Sequence, residues 1–181
     1  ACLVGSEMCI RDRDAGLEYT GALKVLQMIF SYEYLWIQIR VKGGAYGCMC
    51  SFSDQGDSMF VTYRDPNLSE SYKVYDEAAD YVADFDADDR DMKKYIIGTI
   101  GSMDMPMEAV DMGARSFHAY FLGKTEADLQ KVRDQVLSCT QEDIRALAPI
   151  VKAVVEAGNR CCIGNEEKID QNKEYFDEVK H

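Results

Sequence analysis

The sequence predicts a single α+β domain in which helices pack on a small antiparallel sheet. Stretches with apolar residues at helical spacing occupy most of the chain, and three short runs are typical of strands. The chain contains no internal repeat, low-complexity segment or linker, and its 181 residues are enough to bury a core.

The first predicted element is a long buried helix over residues 17–39. Its apolar positions recur at helical spacing, at Leu23, Leu26, Phe30, Tyr34 and Ile37. Gly43 and Gly44 follow this stretch, and glycine is the residue best able to end a helix and redirect the chain. We therefore expect a central helix that ends just before these two glycines.

A β-hairpin and then another helix are predicted next. The strands cover residues 46–52 and 59–63, and Gly56 supplies the turn between them. Asn67 is predicted to be the N-cap of the following helix, with Glu70 three residues on, at the position of a capping-box acid. This helix is expected to run to about residue 85.

The remaining elements are mainly helical. Thr125 with Asp128, and Thr140 with Asp143, have the spacing of capping boxes. Pro149 should kink or split the helix that the second box begins. The predicted elements are helices over residues 89–102, 107–122, 126–137 and 141–157, a third strand at the "RCCIG" run and a terminal helix over residues 166–179.

Charge and cysteine content narrow the class of protein. The chain has 32 acidic and 20 basic residues and a formal net charge of −12. Such a chain repels phosphate backbones and anionic membrane surfaces, so neither nucleic acid nor a membrane is expected as a partner.

Seven cysteines without a CxxC pair predict free thiols in a reducing compartment. Cys48 and Cys50 are two residues apart on a predicted strand and therefore share one face. They are expected to be small apolar side chains, and the alternative is that they are metal ligands.

Residues 3–13, "LVGSEMCIRDR", have no hydrophobic period, helix cap or targeting pattern. They resemble one reading frame of a transposase adapter used in preparing DNA sequencing libraries. We therefore expect residues 1–13 to be an adapter-derived artefact and residues 14–181 to be a natural domain that is truncated at its N-terminus.

The chain offers no metal-binding or nucleophile motif of its own. Its two histidines, His118 and His181, lie in neither HExxH nor HxxEH, and a catalytic zinc normally needs three protein ligands. The sequence also lacks GxSxG, Walker and GxGxxG motifs. We therefore expect no metal ligand in this chain.

The run "RVKGGAYG", residues 40–47, combines groups suited to holding a peptide. Arg40 offers five donors in a planar fork. Gly43 and Gly44 let a second backbone approach closely, and Tyr46 presents a hydroxyl at the end of a strand. Together they could hold an extended peptide beside that strand. The alternative is a helix C-cap followed by a core tyrosine, and the residues alone leave both open.

Several long segments resemble one family, in the order in which that family has them. They are "YLWIQIRVKGGAYGCMCSF", "FVTYRDPNLSESYKVYDEAADYV", "DMKKYIIGTIGSMDMPM", "GARSFHAYFLGKTEADLQKVRDQVLSCTQEDIRALA" and "IGNEEKI". From about Tyr19 onward the chain is similar to the C-terminal domain of presequence-protease-type enzymes, in the insulinase (pitrilysin) superfamily of zinc metallopeptidases. The resemblance implies a pitrilysin-like metallohydrolase domain, the last of four related α+β domains that enclose a substrate chamber.

The resemblance also implies roles within "RVKGGAYG". Arg40 and Tyr46 match the family's arginine and tyrosine, which contact substrate and help to stabilise the transition state. Gly43, Gly44 and Ala45 match the residues between them and are expected to bind substrate. Zinc is implied in the parent protein, bound through an HxxEH motif in a first domain that is absent here.

We expect this chain to be part of a zinc metalloendopeptidase that degrades short unstructured peptides. The chain is expected to supply substrate and transition-state contacts and to be inactive by itself. Its expected partners are peptide substrates and the missing N-terminal domains of the same chain. Its expected location is the bacterial cytoplasm or an organellar matrix. One alternative is a non-catalytic structural or peptide-binding relative of the same superfamily. Another is a free-standing acidic binding module, which would need a complete sheet.

Overall fold

The computed structural model describes the backbone of residues 5–11 and, in full, residues 18–180. Helices pack against one antiparallel sheet, so the α+β prediction is confirmed. The elements are β1 (Gly5–Arg11), α1 (Ala22–Ile29), two π-helical segments (Phe30–Tyr34 and Trp36–Lys42), β2 (Gly47–Phe52), β3 (Asp57–Tyr63), α2 (Leu68–Asp76), α3 (Ala78–Ala83), α4 (Asp89–Met103), α5 (Ala109–Phe121), α6 (Glu126–Leu137), α7 (Gln141–Arg145), α8 (Ala148–Glu156), β4 (Arg160–Ile163), α9 (Glu166–Asp170) and a short 3₁₀ turn (Lys173–Tyr175).

The strands lie in the order β2-β3-β1-β4, and each neighbouring pair is antiparallel. Alternate residues of β3 are buried, namely Ser58, Phe60 and Thr62, as expected for a strand with one face on the core. β2 and β3 form the predicted hairpin, with a turn closed by a hydrogen bond from Gly56 N–H to the Ser53 carbonyl. β2 is an edge of the described sheet.

β1 is a strand that the sequence analysis does not predict. It lies between β3 and β4 and places Met8 opposite Phe60 and Ser6 opposite Cys162. It falls within residues 1–13, which we expect to be adapter-derived. Strands pair through backbone groups that every non-proline residue carries, so the presence of β1 leaves the origin of this segment a prediction. Residues 1–4 and 12–17 lie outside the described residues.

The long predicted helix spans residues 22–42 and ends at the two glycines, as expected. Four of its predicted inward positions are buried: Leu23, Leu26, Phe30 and Tyr34. The fifth prediction is wrong, because Ile37 is 38% exposed whereas Ile39 is 1% exposed. The helix changes from α to π turns after Ile29, and each wider turn delays the next inward position.

Local capping signals were reliable for two later helices. Thr125 with Asp128, and Thr140 with Asp143, form the predicted reciprocal capping boxes. Pro149 lies in the first turn of α8 and separates it from α7, as predicted.

Two predicted helices are shorter than expected. The helix expected to reach residue 85 divides into α2 and α3 at Glu77, and Glu70 accepts a hydrogen bond from Ser69 Oγ instead of completing a capping box. The terminal helix covers only α9, because the rings of Tyr175 and Phe176 pack on Tyr72, at centroid distances of 5.2 and 6.2 Å.

Candidate functional site

Residues 43–46 form the turn that joins the long helix to β2. The Gly44 N–H donates to the Arg40 carbonyl at 3.0 Å, and the Ala45 N–H donates to the Ile39 carbonyl at 3.1 Å. Gly44 has a φ of 77°, a left-handed conformation that glycine adopts without steric cost. The glycines therefore form a helix C-cap, as one of the two sequence alternatives requires.

The loop before α2 holds this turn in place. Asn67 Nδ2 donates to the Gly43 carbonyl at 2.7 Å, and the Asn67 N–H donates to Asp65 Oδ1 at 2.9 Å. Asp65 is fully buried and also accepts a hydrogen bond from Ser71 Oγ. The Asn67 side chain is thus engaged by the glycine turn and does not cap α2, which corrects the sequence prediction.

Arg40 lies in the last turn of the helix and is half-buried. Its guanidinium carbon is 4.0 Å from the centroid of the Trp36 ring, a cation–π contact between residues four apart in a helix. The charge of Arg40 also influences the thiol of Cys48 in β2. Burial raises the pKa of that thiol to about 11, and the positive charge of Arg40 opposes this rise. Arg40 is therefore positioned close to both Trp36 and β2.

Tyr46 is 64% exposed, so the alternative that made it a core tyrosine is wrong. Its ring meets the Tyr63 ring edge-on with centroids 5.9 Å apart, and the guanidinium carbon of Arg64 is 5.5 Å from the Tyr46 centroid. The Tyr46 N–H also donates to the Arg64 carbonyl at 3.3 Å. Arg64 has a φ of 50°, which is unusual for a residue other than glycine.

The structure places all five predicted site residues in or beside one turn at the end of the edge strand β2. They are Arg40, Gly43, Gly44, Ala45 and Tyr46. The side chain of Ala45 is buried, whereas Gly44 and Tyr46 are exposed. Close backbone approach is therefore possible at the glycines, and the tyrosine side chain stands beside them.

Sequence reasoning missed the residues that support this turn. The spacing of Trp36 and Arg40 is that of neighbours on a helix and could have identified the stacked pair. The "RDPN" run carries turn chemistry, and the hydrogen bond from the Asn67 N–H to Asp65 Oδ1 two residues earlier is a typical form of it. The same run does not predict the strained φ of Arg64. Nor does it predict the bond from Asn67 Nδ2 to the Gly43 carbonyl, which joins residues more than twenty positions apart.

A cavity of about 880 Å³ lies beside Trp36, the residue on which Arg40 stacks. Trp36 and Cys48, which both lie close to Arg40, line it, and other lining residues come from α4, α5 and α6. The lining includes apolar side chains such as Met28 and Met103 and basic side chains such as Lys24. Its volume lies within the range of roughly 300–1,000 Å³ that is typical of small-ligand sites.

Within the part of the chain that the structure describes, no group of three or more histidine, cysteine, aspartate or glutamate side chains could hold a metal ion. Cys48 and Cys50 share the inward face of β2, as predicted, and Cys50 is buried. Burial raises the pKa of the Cys50 thiol, as expected for a packed, neutral side chain. None of the described helices is long and apolar enough to span a bilayer.

Comparison with known proteins assigns this domain to a family. Residues 8–165 match the family model described as PreP C-terminal domain. The chain belongs to this family. Relatives of this PreP C-terminal domain include Protein HypA of Clostridium perfringens, 41% identical over 165 residues, and Presequence protease 1, chloroplastic/mitochondrial, of Arabidopsis thaliana, 33% identical over 169 residues. Both alignments cover 91% of this chain but only 17% and 16% of the relatives, so the chain spans about a sixth of their length.

Solved structures share the fold of this PreP C-terminal domain. The peptidase M16 inactive domain from Pseudomonas fluorescens superposes with a TM-score of 0.62 at 16% identity, over 91% of this chain and 41% of that one. An inactive peptidase domain from Bordetella parapertussis gives a TM-score of 0.60 at 16% identity, over 91% of each chain. At this identity the likeness shows the fold alone, and it confirms the predicted pitrilysin-like α+β architecture.

Proposed function

We propose that this PreP C-terminal domain supplies substrate and transition-state contacts to a zinc metalloendopeptidase that degrades short unstructured peptides. The observation that carries the proposal is the exposed Tyr46, next to a glycine turn that joins the end of the helix containing Arg40 to the edge strand β2. The names of its relatives, which include presequence proteases of plants and fungi, support the same conclusion.

The edge strand β2 is a suitable surface for an extended peptide, because its outer backbone groups face no neighbouring strand of the described sheet. A peptide that pairs with β2 would pass the glycine turn, where Gly43, Gly44 and Ala45 offer their backbone. The Arg40 guanidinium and the Tyr46 hydroxyl would then donate to peptide carbonyls and to the oxyanion that develops at the scissile bond. Both are therefore assigned as catalytic residues.

Zinc belongs to a different part of the parent protein in this proposal. The described residues provide no set of ligands that fits the ion. Zinc in the parent would polarise the scissile carbonyl and activate water. The role of this chain is to hold and orient the peptide and to donate hydrogen bonds, so the chain by itself is proposed to be inactive.

The partners and location follow from the same assignment. The proposed partners are unstructured peptides and the preceding domains of the parent chain. Relatives carry the words mitochondrial or chloroplastic in their names, and others come from bacteria. We therefore propose an organellar matrix or the bacterial cytoplasm as the site of action.

The gene upstream of Asp14 provides the first test. We expect an open reading frame that encodes an HxxEH motif with a downstream glutamate ligand. An open frame of similar domains without that motif would make the parent a non-catalytic structural or peptide-binding relative instead.

The complete enzyme encoded by that gene provides the second test. Tyr46→Phe should lower kcat by about a hundredfold, the usual effect of one lost oxyanion donor. Tyr63→Phe is the matched control, because Tyr63 contacts Tyr46 only through its ring, and it should retain wild-type turnover. Arg40→Lys should also lower turnover, since a point charge cannot replace a planar fork. Unchanged turnover in Tyr46→Phe would reduce Tyr46 to a packing residue.

A further inference from the structure

We infer that the cavity beside Trp36 binds a peptide segment that combines a bulky apolar side chain with a carboxylate. This inference rests on the proposed function, because it names the substrate chemistry of a surface that continues from Arg40. Three features of the cavity favour such a ligand: its charge, its apolar lining and its position beside Trp36, which contacts Arg40.

The charge of the cavity is opposite to that of the chain. Lys24 and Arg115 line it, and neither forms an ion pair with any residue that the structure describes. Lys124 also lines the cavity, but its charge is neutralised by Asp54 at 2.5 Å. Two positive charges therefore remain in a chain whose formal net charge is −12. These two charges attract a ligand that carries a carboxylate.

The apolar lining suits a bulky side chain. Met28 and Met103 contribute unbranched, adaptable side chains, and Tyr32 and Trp36 contribute ring faces. Tyr32 is 66% exposed and Trp36 is 38% exposed, so both rings are accessible to a ligand.

The cavity lies next to the proposed peptide path, because Trp36 belongs to its lining and contacts Arg40. The Arg40 guanidinium carbon is 4.0 Å from the centroid of the Trp36 ring, and Trp36 also lines the cavity together with Cys48. Side chains of an extended peptide alternate between its two sides. A peptide that Arg40 holds by its backbone can therefore place one side chain in the cavity, with a carboxylate within reach of Lys24 and Arg115.

The fluorescence of Trp36 gives a direct test on the 181-residue chain, because Trp36 is its single tryptophan. The probes are non-fluorescent peptides in matched pairs. Acetyl-Ala-Ala-Leu-Asp-Ala-amide is compared with the same peptide carrying Asn for Asp, and acetyl-Ala-Ala-Ala-Leu with a free carboxyl end is compared with its amide. We expect at least one carboxylate peptide to shift Trp36 emission and to bind about tenfold more tightly than its neutral partner, as a charge-assisted contact predicts.

The two pairs identify the source of the carboxylate. Preference within the first pair assigns an acidic side chain, and preference within the second assigns a free peptide C-terminus. Lys24→Gln and Arg115→Gln should each abolish most of the preference. Lys152→Gln removes a charge on α8 that lies outside the cavity lining, and it should leave the preference intact. Far-ultraviolet circular dichroism confirms that each variant is folded.

Equal affinity within both pairs, or an equal loss in Lys152→Gln, would overturn the inference. These outcomes are distinct from failure of the proposed function. If the cavity inference alone is wrong, Tyr46→Phe still lowers turnover in the complete enzyme while the paired peptides bind equally. If the proposed function alone is wrong, the complete protein lacks peptidase activity while the carboxylate preference and its loss in Lys24→Gln persist.

Discussion

Helices α1 and α5 both have an apolar stripe, but only one of the stripes is covered. The eight residues of α1 include five buried ones, Ala22, Leu23, Val25, Leu26 and Ile29. The thirteen residues of α5 include none that is buried, and its large apolar side chains Val110, Met112, Phe117, Tyr120 and Phe121 are between 56% and 82% exposed. An amphipathic pattern therefore predicts that a helix has an apolar face, but it does not identify the surface that covers that face.

The two helices also differ in how they are held. α1 continues into the core through Phe30, whose ring contacts those of Phe52 and Phe60. α5 is flanked by two ion pairs, Asp104 with Arg133 before it and Lys124 with Asp54 after it. Apolar burial stabilises by several kcal/mol per large side chain, whereas an exposed ion pair contributes roughly 0–1 kcal/mol. The two regions should therefore respond very differently to substitution and to pH.

The largest difference is expected from truncation of a phenylalanine in each region. Phe30 is fully buried among aromatic rings, so Phe30→Ala should lower the free energy of unfolding by about 3–5 kcal/mol. Phe117→Ala is the matched control on α5 and should change it by less than about 0.5 kcal/mol. Urea denaturation of both variants measures the difference. Equal losses would show that α5 is packed as tightly as α1.

A smaller loss is expected from a buried polar group. Asp65 is fully buried and accepts hydrogen bonds from the Asn67 N–H and Ser71 Oγ. Asp65→Ala leaves these donors without their acceptor and should cost about 2 kcal/mol in unfolding free energy, whereas Asp65→Asn retains one acceptor oxygen and should cost less. Asp111→Ala, on the exposed α5, is the control and should be near neutral. A neutral Asp65→Ala would mean that the loop does not depend on this carboxylate.

The features that were predictable from sequence are local ones. The capping boxes at Thr125 and Thr140 each depend on residues three apart, so their signal is contained in a few letters. The helix end at Gly43 and Gly44 is predictable for the same reason, since Gly44 requires a left-handed φ. The five predicted site residues were placed together because they are close in sequence and resemble a family motif.

The features that were not predictable depend on distant contacts. Asn67 occupies the N-cap position of α2, but its side chain makes no capping hydrogen bond there, and its Nδ2 donates to the distant Gly43 carbonyl instead. The terminal helix stops early because packing Tyr175 and Phe176 on Tyr72 outweighs a weak helical preference. In the π-helical segments Ile39 is buried in the core and Ile37 is exposed. A pattern of 3.6 residues per turn cannot predict this, because a π turn contains more residues than an α turn. The cavity is also invisible to sequence, because its walls come from helices far apart in the chain.

The smallest expected effect concerns the ion pair that precedes α5. Hydrogen bonds from Arg133, together with its charge, hold the pKa of Asp104 below its usual 3.8. Because the folded pKa is lower than the unfolded one, the pair stabilises the fold fully above pH 3.8, and this contribution is lost as the pH falls through the folded pKa. The urea midpoints of wild type and Asp104→Asn should thus differ by a small, constant amount at neutral pH and converge in acid. Asp111→Asn should show no such convergence, and a difference between wild type and Asp104→Asn that persists in acid would show that the Asp104 side chain acts through packing instead of charge.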